Sequence, residues 1–214
     1  MKFKKTDYIA AAVLIAALIQ LVVMYPSLPQ QVVTNWGFDG QVEYGHKSTL
    51  WILYGMSVLM FLFFFIIPKI DPKGKNYQRF EGFYSTFRLV IILFMIGMME
   101  LVILSAEDPH RFNVTKIAMI AVSLLLVFVG NYLPKCKHNY TMGIKTMWTY
   151  ADERVWNDTH RFGGVLFVIA GVVMLVSALL FSEKVMFVVT MVAVLGTVGV
   201  TTLYSYLSYK KYNR

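Results

Sequence analysis

Six apolar runs divide the chain: Tyr8–Tyr25, Thr49–Pro68, Thr86–Ser105, Val114–Leu133, Phe162–Phe181 and Val185–Leu207. Each is close to the ~20 residues a helix needs to cross about 30 Å of hydrocarbon. Every main-chain polar group must be satisfied inside that layer, which leaves an apolar run of this length little choice but helix. Only 15% of the residues are charged, well below the roughly 25% of soluble domains, so these runs are not the core of a soluble protein. The runs use most of the 214 residues, and no separate soluble domain fits beside them. The expected fold is all-α: one integral membrane domain, 1–214, of six transmembrane helices. Helices one and two and an outer loop at 26–48 fill 8–68, and helices three and four fill 86–133. A cytoplasmic loop follows at 134–161, then helices five and six at 162–207.

Orientation follows from Lys and Arg, which accumulate on the cytoplasmic side. Sixteen of the twenty lie in the N-terminus, the second loop with its flank through Arg88, the fourth loop, and the C-terminus. Only Lys47, Arg111, Lys116 and Lys184 lie on the other side. Both termini are therefore expected in the cytoplasm. This bias accounts for the net charge of +8. The cations are spread over four segments rather than gathered on one face, so no nucleic-acid partner is expected. The first run has a basic start but leaves through "MYPSLP", without small residues at a cleavage position, and reads as an uncleaved anchor. Cys136 is the single cysteine, so no internal disulfide is available. The Asn-x-Thr triplets at Asn113, Asn139 and Asn157 read as chance, because two fall on the cytoplasmic side.

The outer loop Pro26–Ser48 is punctuated by Pro26, Pro29, Gly37, Gly40 and Gly45. "QQVVTNW" has strand composition but no evident partner. The loop is expected to lie on the outer membrane face, with Trp36 and Trp51 at the interface. Pro68 and Pro72 are expected to stop the second helix. Small residues recur in the fifth run (Gly163–Gly164, Ala170–Gly171, Ser177–Ala178) and in the sixth (Ala193, Thr197, Thr201, Ser205, near Gly196 and Gly199). These stripes predict close antiparallel packing of the last two helices.

Glu100 lies deep in an apolar run, where a charge costs roughly 2.5–3.5 kcal/mol on insertion scales. Two readings stand: a proton or cation site, and a polar latch to a neighbouring helix. The inner loop Gly130–Arg161 carries two of the four Trp and two of the four His. A topology signal needs no Trp148, Trp156, Tyr140 or Tyr150; exposed aromatics must find cover or a partner. A short amphipathic helix is expected there, capped by Thr149 and running into the fifth span, with Val155, Trp156 and Phe162 on one face. Lys145 or Arg161 is expected to pair with Glu153. Cys136, His138 and His160 have metal-ligand chemistry but no zinc-like spacing, so no metal and no cofactor are expected. Neither a phosphate loop nor a nucleophile elbow is present. A Cys–His nucleophile would lack a group to orient the histidine. The chain is expected not to be an enzyme.

Within this loop, Gly130–Asn131, Asn139, "GIKTMWT" at 143–149, "DERVW" ending at Trp156, and Arg161–Phe162 resemble the signature of SdpI-type proteins, bacterial six-span membrane proteins. The tail "YSYLSYKKYNR" is similar too. The outer loop resembles a short domain found at the start of such proteins, although Asn35 stands where His is usual and Gly37 where Asn is usual. The resemblance implies a bacterial plasma-membrane protein, immunity to a secreted peptide toxin bound on the outer face, and a receptor role toward a cytoplasmic regulator. The residues it points to are Asn131, Asn139, Gly143, Lys145, Thr146, Trp148, Thr149, Glu153, Trp156 and Arg161 within, and Asn35, Trp36, Gly40, Glu43 and Lys47 outside. A proton-coupled exporter using Glu100, and a membrane enzyme with its site in the inner loop, are the alternative functions.

Overall fold

The computed structural model describes residues 3–37, 41–108 and 111–213; Gly40 of the predicted outer site lies outside them. The elements are α1 (Lys5–Met24), β1 (Gln31–Trp36), β2 (Val42–His46), α2 (Thr49–Ile70), α3 (Glu81–Leu104), α4 (Val114–Tyr132), α5 (Met147–Ala151), α6 (Glu153–Leu180) and α7 (Glu183–Tyr212). Among the described residues, six helical segments are long and apolar enough to cross a membrane, as expected. α2 runs through Pro68 to Ile70 rather than stopping at it; the Phe64 carbonyl, which loses its helical partner to the proline, accepts the Tyr84 hydroxyl at 2.6 Å instead. α6 begins at Glu153, not at Phe162. The chain falls into two compact units: Met1–Ile66 with Tyr84–Ala118, and Ile67–Phe83 with Met119–Arg214.

In the first unit, Ala10, Leu14, Ala17 and Leu21 recur at helical spacing and form one buried stripe of α1. They share a core with Ile92, Ile96, Met99, Val102 and Ile103 of α3. Polar pairs mark both ends of that seam. Arg88 donates to the two Asp7 oxygens at 3.0 and 2.7 Å, and both side chains are fully buried. Gln20 donates to Glu100 at 2.7 Å. The partners are separated by 81 and 80 residues, so α1 and α3 run parallel in constant register, with the pairs about 20 Å apart along the axis. The Arg88 guanidinium also lies over the rings of Phe65 and Tyr84, 4.4 and 5.1 Å from their centroids. Arg88 is thus no part of an exposed basic flank; Asp7, in the first turn of α1, pairs with it in the core.

The outer loop forms an antiparallel hairpin. β1 does have a partner, the "VEYGH" stretch, whose glycine hides its strand character. Lys47 ties down its base, donating to the Tyr25 and Leu28 carbonyls at 3.0 Å each. Asn35 donates to Glu43 at 3.2 Å. Trp36 is half-buried and packs against the helix core.

In the second unit, α6 and α7 form an antiparallel pair joined at Phe181–Ser182, but the small residues of α6 serve two neighbours. A Cβ at Gly163 would meet Thr201 of α7. A Cβ at Gly164 or Gly171 would instead strike the Gly130 or Ser123 carbonyl of α4, at 2.7 and 2.8 Å. Adjacent glycines point about 100° apart on a helix, so the Gly163–Gly164 doublet opens two faces. Gly196 and Gly199 meet nothing within 4 Å.

Removing one partner of a buried ion pair strands the other charge at a cost on the order of 3 kcal/mol. Asp7→Ala should therefore lower thermal stability sharply. The double change Asp7→Leu with Arg88→Met should recover most of the loss. Both are read by unfolding of the purified protein in detergent.

Candidate functional site

The inner motif is built on one carboxylate. Asp71, just past α2, accepts from its own turn through the Lys73 amide at 2.8 Å. It also accepts the Tyr140 amide at 2.9 Å and the Tyr77 and Thr141 hydroxyls at 3.0 Å each. Tyr77 belongs to a short 3-10 helix, Gly74–Phe80, and is itself buried. Burial pushes the Asp71 carboxyl up, but the Lys73 and Tyr140 amides and the Thr141 and Tyr77 hydroxyls outweigh it and hold it below the ordinary carboxylate range.

Asn139 is the second hub, with no exposed surface. Its Oδ1 accepts the Thr141 and Met142 amides at 2.9 and 2.6 Å, folding the chain into an Asx turn. Its Nδ2 donates to the Lys137 carbonyl at 2.8 Å and to Cys136 Sγ at 3.4 Å. A buried Asn139 is no glycan acceptor. Gly143 follows with φ +115°, and a side chain there would overlap His160 and the Trp156 ring. Only glycine meets both demands.

Trp156 is the centre of this layer. It is fully buried, donates from Nε1 to the Cys136 carbonyl at 2.9 Å, and stacks between His160 and His138 at 4.0 and 4.9 Å. His160 Nε2 accepts the Ile144 amide at 3.0 Å, which places its proton on Nδ1, bonded to the Trp156 carbonyl at 2.8 Å. His138 Nδ1 accepts from the Lys73 ammonium at 2.7 Å. Burial, then the Lys73 charge, lowers the His138 pKa against the pull of Glu153 and Asp71. Burial pushes the Cys136 thiol up to about 12 despite Asn139 and Lys137. The three metal-ligand candidates are thus engaged in packing and hydrogen bonds. Among the described residues no three His, Cys, Asp or Glu side chains converge.

Two caps replace the one expected at Thr149. Thr146 caps α5, accepting the Thr149 amide at 3.2 Å, while Asp152 caps α6. Thr149 instead donates to the Ile144 carbonyl at 2.9 Å from a buried position. Thr146 meets Ser205 of α7 at 3.0 Å, and Trp148 packs on Tyr206 with centroids 5.2 Å apart. The expected pairing of Glu153 does not form. Lys145 donates to the Thr141 carbonyl at 2.9 Å, and it is Asp152 that pairs, with Arg154 at 2.6 Å. The first turn of α6 aims Glu153 outward, and Arg161 lies exposed two turns on. Asn131 caps nothing outside its own helix; it donates to the Val127 carbonyl. The motif therefore divides. Asn139, Gly143, Thr149 and Trp156 lock the layer from within, whereas Lys145, Glu153 and Arg161 face out. Sequence reading missed Asp71 and Tyr77; the Asp-Pro turn at Asp71–Pro72 was the available signal. In the first unit, Glu100 accepts from Gln20, and Lys47 and Asn35 hold the hairpin.

Cys136 reports on this layer. It should resist maleimide at neutral pH in the native protein and react in Asp71→Ala or Gly143→Ala at normal abundance. Asp71 and His138 both have folded pKa values below their unfolded ones. Each then adds stability above the unfolded value and loses it as pH falls through the folded one. Labelling by a dipyridyl disulfide, which reads thiols in acid, should rise first below about pH 6.5 and again below about pH 4.

The comparisons map onto these parts. Residues 135–205, the motif layer with α6 and most of α7, match the SdpI/YfhL protein family. Residues 12–66, covering most of α1, the hairpin and most of α2, match a domain of unknown function, DUF1648. The chain is 24% identical to the immunity protein SdpI of Bacillus subtilis (strain 168), over 98% of each. No solved structure matches it. With its six span-long helices, the chain is a multi-pass protein of the plasma membrane. The SdpI-type resemblance carried by the motif is thus shown twice, by the family match at 135–205 and by the whole-length likeness to an immunity protein.

Proposed function

We propose that this SdpI-like membrane protein confers immunity to a secreted peptide toxin, and that its inner motif layer relays the peptide's presence to a cytoplasmic partner. The observation that carries the reading is the likeness to an immunity protein along 98% of both chains, outer hairpin and inner motif together. Both termini and the motif layer lie in the cytoplasm in this reading, on the weight of Lys and Arg there. The hairpin and the outer ends of the first unit meet the peptide. The outward-facing motif residues Lys145, Glu153 and Arg161, with Met147 at 74% exposure, form the partner surface. Trp and Arg are favoured anchors in such surfaces, but Trp156 is spent on the fold and Trp148 on α7.

Glu100 acts as a latch here rather than as a coupling acid. Gln at that position keeps a hydrogen-bonding partner for Gln20, so Glu100→Gln should leave protection intact.

The test is survival of a sensitive bacterium challenged with secreted peptide toxins, with membrane abundance measured in parallel. Wild type should protect, Glu100→Gln should protect equally, and Lys145→Glu with Arg161→Glu should protect but lose the cytoplasmic response. Protection lost in Glu100→Gln alone would replace this reading with proton-coupled export. No protection by wild type at normal abundance would sink immunity.

A further inference from the structure

The hairpin register identifies a free sheet edge. Lys47 N–H bonds the Gln30 carbonyl and Gly37 N–H bonds the Gln41 carbonyl, so positions 41 and 47 of the second arm face β1. Antiparallel pairs alternate between bonded and non-bonded. The pairings Val32↔Gly45 and Asn35↔Glu43 then carry the ladder, while Val33↔Tyr44, Gln31↔His46 and Trp36↔Val42 are the non-bonded pairs. The irregularity falls between Val33 and Asn35, on β1, and leaves the alternation along β2 unbroken. The N–H and C=O groups of Val42, Tyr44 and His46 therefore point away from β1. Among the described residues the sheet has two strands only.

The two strands are not equivalent. Val32 and Val33 of β1 are both buried, so that strand is covered on both faces. β2 is the outer strand: Glu43, Tyr44 and His46 are exposed, Tyr44 by 54%. It carries no proline, and Lys47 at its end is buried on carbonyls rather than guarding the edge. An edge of this kind accepts an added strand.

Charge selects the occupant. Glu43 is exposed on β2. α1 and α3 run parallel at an offset of 80 to 81 residues, so exposed Glu107, just past the end of α3, stands level with Pro26 and Ser27 at the start of the outer loop. Arg111, exposed just before α4, lies over the ring of its neighbour Phe112. We infer that β2 is a strand-addition site for an extended, cationic, amphipathic stretch of a peptide, paired to the main chain of Val42, Tyr44 and His46. This rests on the peptide-immunity reading for its biology, but not for its chemistry.

The test uses the full chain in nanodiscs of zwitterionic lipid and a synthetic decapeptide of alternating Lys and Val. Hydrogen exchange at the Val42, Tyr44 and His46 amides should slow about tenfold or more with the peptide. It should not slow with the same peptide N-methylated at alternate residues, nor with a Glu–Val version. Tyr44→Pro removes one outward N–H, which an edge strand tolerates, and should abolish the effect; Tyr44→Thr should keep it. Unchanged exchange at these amides, while those of Glu43 and Gly45 stay protected, would overturn the proposal. So would equal peptide binding by Tyr44→Pro, or protection before peptide is added with a doubled particle mass, which would assign the edge to a second copy. Slowed exchange without cellular protection would sink the immunity reading and leave strand addition standing. Undiminished protection by Tyr44→Pro would do the reverse.

Discussion

A polar loop between two apolar spans keeps its shape because one carboxylate takes in the main chain of another loop. Asp71 leaves α2 and accepts the Tyr140 amide and the Thr141 hydroxyl from a segment about seventy residues away. Everything else in the motif layer is arranged around the turn this fixes. Asn139 satisfies the next two amides, Gly143 takes a positive φ and, having no Cβ, leaves room for His160, and Trp156 is buried against both histidines. Buried loops are rare because their main-chain groups lack partners. Here side chains supply them one by one: Asp71, Asn139, His160 and Thr149.

The same economy appears in the first unit with opposite ingredients. α1 and α3 meet through an apolar stripe that would tolerate sliding, since one helical ridge resembles the next. The Asp7–Arg88 and Gln20–Glu100 pairs sit at its two ends and permit a single register. Their worth is specificity more than stability, because burying a charge costs about what pairing returns. Lys47 serves the hairpin likewise, holding the end of α1 and the loop after it by their carbonyls.

The spans were legible because hydropathy alone dictates them, and the motif was legible because its residue types are out of place in a topology signal. What stayed hidden is what depends on distant partners. Arg88 reads as a basic flank until Asp7 is placed beside it. Val42–His46 reads as coil until β1 pairs with it. Glu153 reads as the partner of Lys145 or Arg161 until Asp152 caps α6 and Glu153 faces outward from its first turn. The doublets of α6 signalled close packing correctly, but two faces of one helix cannot be told apart from spacing that suits both. Within the motif, no local rule separates Trp148, which lies against α7, from Trp156, which organises the layer.

The central claim is that the inner motif is a packed layer rather than a flexible loop. Amide hydrogen exchange of the intact protein tests it most directly, at Tyr140, Thr141, Met142 and Ile144, whose acceptors are side chains of Asp71, Asn139 and His160. The account predicts exchange at these four as slow as in the flanking turns of α4 and α6. Exchange at the rate of an open loop, with those helices protected, would contradict it.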